Sequence, residues 1–359
     1  MTPWSGSPLL AAETYRLRDT VGRALGMGYP PPLRVDLDTR GQLARAVCRL
    51  PAGFQPDQTA TAERYLNVTL GPCELVWDWA AGDLTIIPVA PREVPTECWW
   101  DRAPPAAWHL LRVGENAEGP VYWDLLIAAH LLICGGSGSG KSTAFELLLE
   151  QALAAGWQAV CYDPKLVELI GYSGRDGVLA VETQLARIAD SLEWVTREQA
   201  RRYMLMVEHR VNHWAKLPTE VRPAPLLVAF DEIAAVLRPV KAAGDVAAVG
   251  DNRLRGRVGQ AVTEVAERGR AAGVHELFAA QGVRADWFDG SIQRNMLARL
   301  HCGTTDDVTS RLFLGNSKAG VPFDPETGLG ITPGVVGRAA WYVRGEVSEV
   351  QVSRVPEAA

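Results

Sequence analysis

Apolar and polar positions change period several times along this chain, and the changes divide it. Residues Ala11 to Leu25 predict a helix that Gly26 and Gly28 close, and Pro30-Pro31-Pro32 forbids its continuation. From Leu33 the pattern becomes β-like: Leu33–Leu37, Ala44–Leu50, Glu74–Trp79 and Leu84–Val89, with a helical stretch at Thr59–Leu70 between them. That set predicts a small α+β unit. Residues 91–107 are rich in proline and polar groups, with Trp99, Trp100 and Trp108 interspersed, and read as a linker that docks by its aromatics. Beyond it lie strand-like runs at Leu131–Cys134 and Val274–Ala280 and an apolar run, Leu226–Phe230, which suits a strand buried in a parallel sheet. A helix is expected at Ala144–Ala155, and the chain ends in a hairpin-like pair, Ala339–Arg344 and Val347–Val355. The expected organisation is a helical segment over 1–30, a small α+β domain over 31–92, a linker over 93–108, and an α/β domain with a mostly parallel sheet over 109–356.

Composition narrows the class. A chain of 359 residues, 47% hydrophobic, can bury one large core or two modest ones. No apolar run reaches the roughly 18 to 20 residues that cross a bilayer; Leu125–Cys134 comes nearest and His130 interrupts it. The amino terminus lacks a basic segment followed by an apolar one, so a cytoplasmic protein is expected. The cysteines (Cys48, Cys73, Cys98, Cys134, Cys161, Cys302) form no Cys-x-x-Cys pair, which argues against structural zinc and against a disulfide framework. A net charge of −6 opposes a surface coated in basic groups but leaves room for positive charge along a channel.

The chemistry begins at Gly135-Gly136-Ser137-Gly138-Ser139-Gly140-Lys141-Ser142, followed by Thr143, which matches G-x-x-x-x-G-K-[ST] between a predicted strand and a predicted helix. Glycines let successive backbone N–H groups turn inward around phosphates at a helix amino terminus. Lys141 then neutralises the β and γ oxygens of ATP, and the Ser142 hydroxyl ligates Mg²⁺. Some ninety residues on, Leu226–Phe230 ends in Asp231-Glu232, an apolar strand delivering adjacent carboxylates. Asp231 would hold the Mg²⁺ shell and Glu232 would polarise the attacking water. Val274–Ala280 ends at Gln281, where a polar residue commonly senses the γ-phosphate in ring ATPases. Just before it, Arg268 and Arg270 stand on a helix end; either a reach into a neighbouring subunit's nucleotide or a favourable charge on the helix dipole accounts for them.

These segments, in this order, resemble the FtsK/SpoIIIE family of DNA translocases. His130-Leu131-Leu132-Ile133 resembles the family's approach to the phosphate loop, and Asp163-Pro164-Lys165-Leu166-Val167-Glu168-Leu169 resembles its Asp-Pro-Lys-x-x-Glu-Leu segment. Trp194 to Met206, with Glu198, Arg201, Arg202 and Tyr203, is similar to its W-x-x-x-E-M-x-x-R-Y helix; Gly269 to His275 is similar to (A/G)-R-A-A-G-I-H. Asn295 to Arg299 and Ser310-Arg311 match its last two segments. Where the family usually reads A-T-Q-R-P, this chain has Ala279-Ala280-Gln281-Gly282-Val283. The resemblance implies a RecA-like P-loop ATPase that assembles as a homohexamer around double-stranded DNA, and it makes Arg270 the favoured trans-acting finger, with Arg299 and Arg311 behind it. The implied role is ATP-driven translocation of DNA in plasmid or mobile-element transfer or segregation, with membrane or transfer-apparatus proteins as further partners. A type VII protein-secretion ATPase and a nucleotide-dependent assembly protein are the alternatives.

Overall fold

The computed structural model describes residues 11–37, 43–70, 73–88, 93–166, 168–241, 245–284, 287, 290–324 and 330–356. Val89, expected at a strand end, and Val167, within the 163–169 segment, lie outside them. The chain divides into two compact units, residues 1–93 and 94–359.

In the first unit, α1 (Ala11–Ala24) and α2 (Thr59–Leu70) accompany the antiparallel strands β1 (Leu33–Leu37), β2 (Leu43–Arg49), β3 (Cys73–Asp78) and β4 (Asp83–Pro88), in the order β1-β2-β4-β3. Leu17 and Val21 of α1 are fully buried among Ala46, Leu66, Leu84 and Ile86. The first helix therefore shares the core of the four-stranded sheet.

The second unit is built on a ten-stranded sheet. Its strands are β5 (Leu110–Asn116), β6 (Gly119–Asp124), β7 (Leu131–Gly135), β8 (Gln158–Tyr162), β9 (Val178–Glu182), β10 (Leu226–Phe230), β11 (Val274–Ala280), β12 (Ala298–Cys302), β13 (Arg338–Val343) and β14 (Glu346–Val352), in the order β6-β5-β14-β13-β12-β7-β11-β10-β8-β9. From β12 to β9 neighbours pair in parallel; from β12 outward through β13, β14, β5 and β6 they pair antiparallel. The helices are α3 (Lys141–Ala154), α4 (Leu185–Glu208), α5 (Ile233–Leu237), α6 (Val246–Ala272), α7 (Gly290–Asn295) and α8 (Asp307–Leu314). Every residue of β7, β10 and β11 is buried, because α3 packs on one face of the sheet while α4 and α6 pack on the other. Fully burying a Leu, Ile or Val contributes about 1.5–3 kcal/mol, so these central strands are the most firmly fixed part of the unit. Their carboxyl ends carry the chemistry.

Residues 94–108 are part of this unit and not a free connector. Trp100 is buried and its backbone N–H donates to Arg354 O (2.9 Å), while Trp108 meets Trp214 edge-on at 5.1 Å.

Candidate active site

The phosphate loop runs from the end of β7 to the start of α3. Gly140, at φ 98°, is the left-handed residue on which the helix starts, and a Cβ there would stand 3.0 Å from Gly337 Cα. Only glycine fits both demands. The helix begins at Lys141, three residues before the expected Ala144, because polar Lys-Ser-Thr carries no apolar periodicity to announce its first turn. The consequence is functional: the N–H groups of that first turn have no intrahelical acceptors and are available to phosphate oxygens. Ser139 Oγ donates to Gly136 O at 2.8 Å and holds the loop curled.

The cleft above the loop has a volume of about 270 Å³. Gly136, Ser137, Gly138, Gly140, Lys141, Ser142 and Thr143 line it, together with Glu168, Gln281 and Val336. The structure thus brings Gln281 to the loop, although it lies some 140 residues away in sequence. It does so because β11 is the parallel neighbour of β7, with Ala280 opposite Cys134. Val336 supplies a wall that sequence patterns do not reveal, pinned by Gln351 Nε2 donating to its carbonyl at 2.9 Å.

β10 lies one strand further on and delivers both carboxylates. Lys141 Nζ stands 3.8 Å from Asp231 Oδ1 with both side chains nearly buried. Burial raises the Asp231 pKa above the usual carboxylate range, and Lys141 is the largest influence opposing that rise. A divalent cation would favour the anion there. Among the described residues no cluster of three His, Cys, Asp or Glu side chains could hold a metal by itself. One carboxylate and one hydroxyl, Asp231 and Ser142, with ligand phosphates supplying the rest, is the donor set that Mg²⁺ accepts.

Glu232 is 6% exposed and bound on two sides. The Lys165 ammonium donates to Oε2 at 2.9 Å, and the Gln281 backbone N–H donates to the same oxygen at 3.2 Å. Sequence reasoning does not single out Lys165 as a site residue. Its one signal is its place after Asp163-Pro164 at the end of β8, the strand beside β10. Asp163 is fully buried and shapes the turn, accepting from the N–H groups of Lys165 (3.2 Å), Glu168 (3.0 Å) and Leu169 (2.9 Å). That turn points Lys165 at Glu232 and sets Glu168 on the nucleotide cleft.

The arginines separate. Arg270 is exposed in the last turn of α6, where its guanidinium donates to Leu126 O. It stands at the amino-terminal edge of the sheet, and the seven residues of β11 separate that edge from Gln281 by roughly 20 Å. It does not reach the P-loop of its own chain. Arg299 is buried, and its three nitrogens donate to the carbonyls of Met296 (2.9 Å), Phe313 (2.7 Å) and Gln293 (2.6 Å). That removes Arg299 from the reserve of trans-acting candidates: its role is to tie β12 to α7 and α8. Arg311 is exposed in the last turn of α8.

The model of the FtsK/SpoIIIE family matches residues 94–285, more than half of the chain. The DNA translocase FtsK of Clostridium acetobutylicum is 28% identical over 258 residues, which is 64% of this chain and 32% of that protein. The DNA translocase FtsK of Streptomyces avermitilis is 30% identical over 227 residues, 57% of this chain and 24% of that one. The chain therefore spans a third or less of these relatives. Among solved structures, the pCW3 conjugation coupling protein TcpA, in a monomer form with ATPγS, superposes with a TM-score of 0.63 at 19% identity, covering 95% of this chain and 94% of the other. The cytoplasmic domain of the type VII secretion ATPase EccC of Thermomonospora curvata gives 0.53 at 19% identity, covering 76% of this chain and 31% of that one. These likenesses show the same RecA-like P-loop ATPase fold. With the matched residues taking in the phosphate loop, both carboxylates and Gln281, the chain belongs to the FtsK/SpoIIIE family.

Proposed function

We propose that this protein hydrolyses ATP with Mg²⁺ and uses the energy to move double-stranded DNA, acting as a homohexameric ring in the transfer or segregation of a plasmid or other mobile element. The observation that carries the reading is the convergence of the P-loop, Asp231, Glu232 and Gln281 on adjacent parallel strands of an FtsK/SpoIIIE chain. A mere nucleotide binder has no use for Glu232.

In this mechanism the loop N–H groups and Lys141 hold the β- and γ-phosphates. Ser142 and Asp231 would hold Mg²⁺, which would supply neutralising charge to the phosphate oxygens. Glu232 orients the attacking water, and Gln281 registers the γ-phosphate. Lys141 and the ion cover the charge facing the P-loop; a further arginine reaching the γ-phosphate is worth on the order of 10³ to 10⁵ in rate. Arg270, exposed and remote from its own site, suits a finger presented to the next subunit. A cytoplasmic setting and contacts with membrane or transfer-apparatus proteins complete the proposal; among the described residues no helix is long and apolar enough to cross a membrane.

The fold likeness to the secretion ATPase EccC keeps one second reading, transport of protein. Steady-state ATP turnover with and without duplex DNA separates the two. A rate that rises with duplex supports the DNA motor; a rate indifferent to saturating duplex supports secretion.

A further inference from the structure

A second cleft, of about 510 Å³, adjoins the nucleotide cleft, with Gln281 bordering both. Glu232 lines this second cleft and not the first. The same cleft is lined by four cationic side chains, Lys165, Arg238, Arg255 and Arg284, of which Lys165 meets the carboxylate directly. They come from four places in the fold, namely the turn after β8, the end of α5, the body of α6, and the segment after β11. Arg255 also donates to Ala235 O, which holds α6 against α5.

The ion pair at 2.9 Å between Lys165 and Glu232 bears directly on catalysis. A carboxylate that polarises an attacking water must offer it a lone pair. The Lys165 ammonium, 2.9 Å from Oε2, occupies one of the lone pairs the carboxylate could offer. The pair as it stands ties Oε2 of Glu232 to Lys165 instead of to a water. Lys165 itself keeps 37% of its side chain exposed, so an anion entering the cleft can reach its ammonium and compete for it. Guanidinium groups match phosphate oxygens geometrically, and three of them on separate elements suit successive phosphates of a polyanion. The P-loop already provides the seat for the nucleotide's own phosphates.

We infer that this cleft binds backbone phosphates of DNA, and that the bound phosphate draws Lys165 away from Glu232, releasing the carboxylate for hydrolysis. Lys165 is then a positioning residue that makes ATP turnover wait for DNA. The inference rests on the DNA-motor reading above, and it shares its chemistry with free inorganic phosphate, which the test separates.

The test is steady-state turnover of Lys165→Met, Lys165→Arg and the double variant Arg238→Ala/Arg284→Ala, with ATP affinity measured by a fluorescent analogue. Lys165→Met should raise the DNA-free kcat several-fold, leave KM and ATP affinity near the parent's, and bring the ratio of duplex-stimulated to DNA-free turnover towards one. Lys165→Arg should restore the restraint. The double arginine variant should lower the stimulation ratio and reduce the slope of log affinity against log salt by about two, one for each guanidinium taken from a phosphate. A DNA-free kcat for Lys165→Met at or below the parent's, with ATP binding intact, would overturn the restraint. Full stimulation and an unchanged salt slope in the arginine variant would overturn the phosphate site. Stimulation of the parent by inorganic phosphate to the same extent as by duplex would make free phosphate the occupant and overturn the DNA assignment. A parent indifferent to duplex would sink the DNA-motor reading and the DNA half of this inference together, while the DNA-free rate of Lys165→Met would still decide the restraint.

Discussion

Asp231 and Glu232 are adjacent in the chain yet face different partners, and the difference divides their work. Asp231 looks towards Lys141 and the phosphate loop, whereas Glu232 is held by Lys165 and the Gln281 N–H. Lys141→Ala should therefore abolish nucleotide binding or turnover, and Glu232→Gln should bind nucleotide normally and lose hydrolysis. Nucleotide-binding titrations beside phosphate-release assays check both, and a Glu232→Gln variant as active as the parent would contradict the assignment. A second residue-scale prediction concerns pH. Burial holds the Glu276 carboxyl protonated well above its usual range, while burial takes His130 down to about 3. His130 Nδ1 accepts the Glu276 backbone N–H at 3.1 Å and lies 3.3 Å from the Glu276 carboxyl, an arrangement that suits a neutral acid beside a neutral imidazole. The unfolded chain releases the Glu276 proton above about 4.5, so this contribution to stability is lost as pH rises towards the folded value. The unfolded chain takes up a proton on His130 below about 6.5, so that contribution is lost as pH falls from there towards 3. Glu276→Gln should accordingly stabilise the protein in urea, with a gain that grows as pH rises above the unfolded value, by up to about 1.4 kcal/mol per unit. A gain that shrinks as pH rises would show that Glu276 is ionised in the folded state.

At the scale of elements, the segment from Trp194 to Met206 explains how α6 is held. Arg202 is 1% exposed; it pairs with Glu198 at 2.9 Å and donates to the carbonyls of Ala272, Gly273 and Ala224. Tyr203 Oη donates to Arg268 O at 2.8 Å. α4 thereby fixes the end of α6 that carries Arg270, and a Cβ at Gly273, which sits at φ 68°, would strike Trp214. Arg202→Ala leaves three carbonyls and Glu198 without their buried donor. It should cost on the order of 3 kcal/mol or more in denaturant unfolding, against a negligible change for exposed Arg201→Ala. Equal stability of the two variants would mean that Arg202 does not bear the joint. Legibility in the sequence divides along the same lines. The apolar strands β7 and β10, the largely apolar β11 and the glycine loop are readable because burial on both faces and phosphate binding leave local signatures. Strands β5, β6, β8, β9 and β12 do not emerge from pattern, since alternating or mixed runs such as Gly119–Asp124 and Ala298–Cys302 take their strand character from neighbours distant in sequence. Arg299 misleads for the same reason: a charge in a family motif reads alike whether it reaches outward or is spent on three internal carbonyls.

For the whole molecule, Arg270 stands at the opposite edge of the sheet from the P-loop, so under the proposed ring an isolated chain would be an incomplete enzyme. Arg270→Ala should bind ATP almost as the parent does and turn it over far more slowly. Mixing it with Lys141→Ala chains should recover activity, because some interfaces then join an intact pocket to an intact arginine; mixed rings no more active than the two variants alone would make the charge of Arg270 structural. The net charge of −6 fits such a ring only if positive groups are gathered where DNA would pass, and the second cleft gathers Lys165, Arg238, Arg255 and Arg284. Movement along DNA is the claim on which the rest depends, and it is read most directly by displacement of a triplex-forming third strand from an otherwise intact duplex. The account predicts displacement that requires ATP and Mg²⁺, proceeds without unwinding the duplex, and disappears in Glu232→Gln. A protein that binds duplex and hydrolyses ATP yet leaves the third strand in place would contradict it.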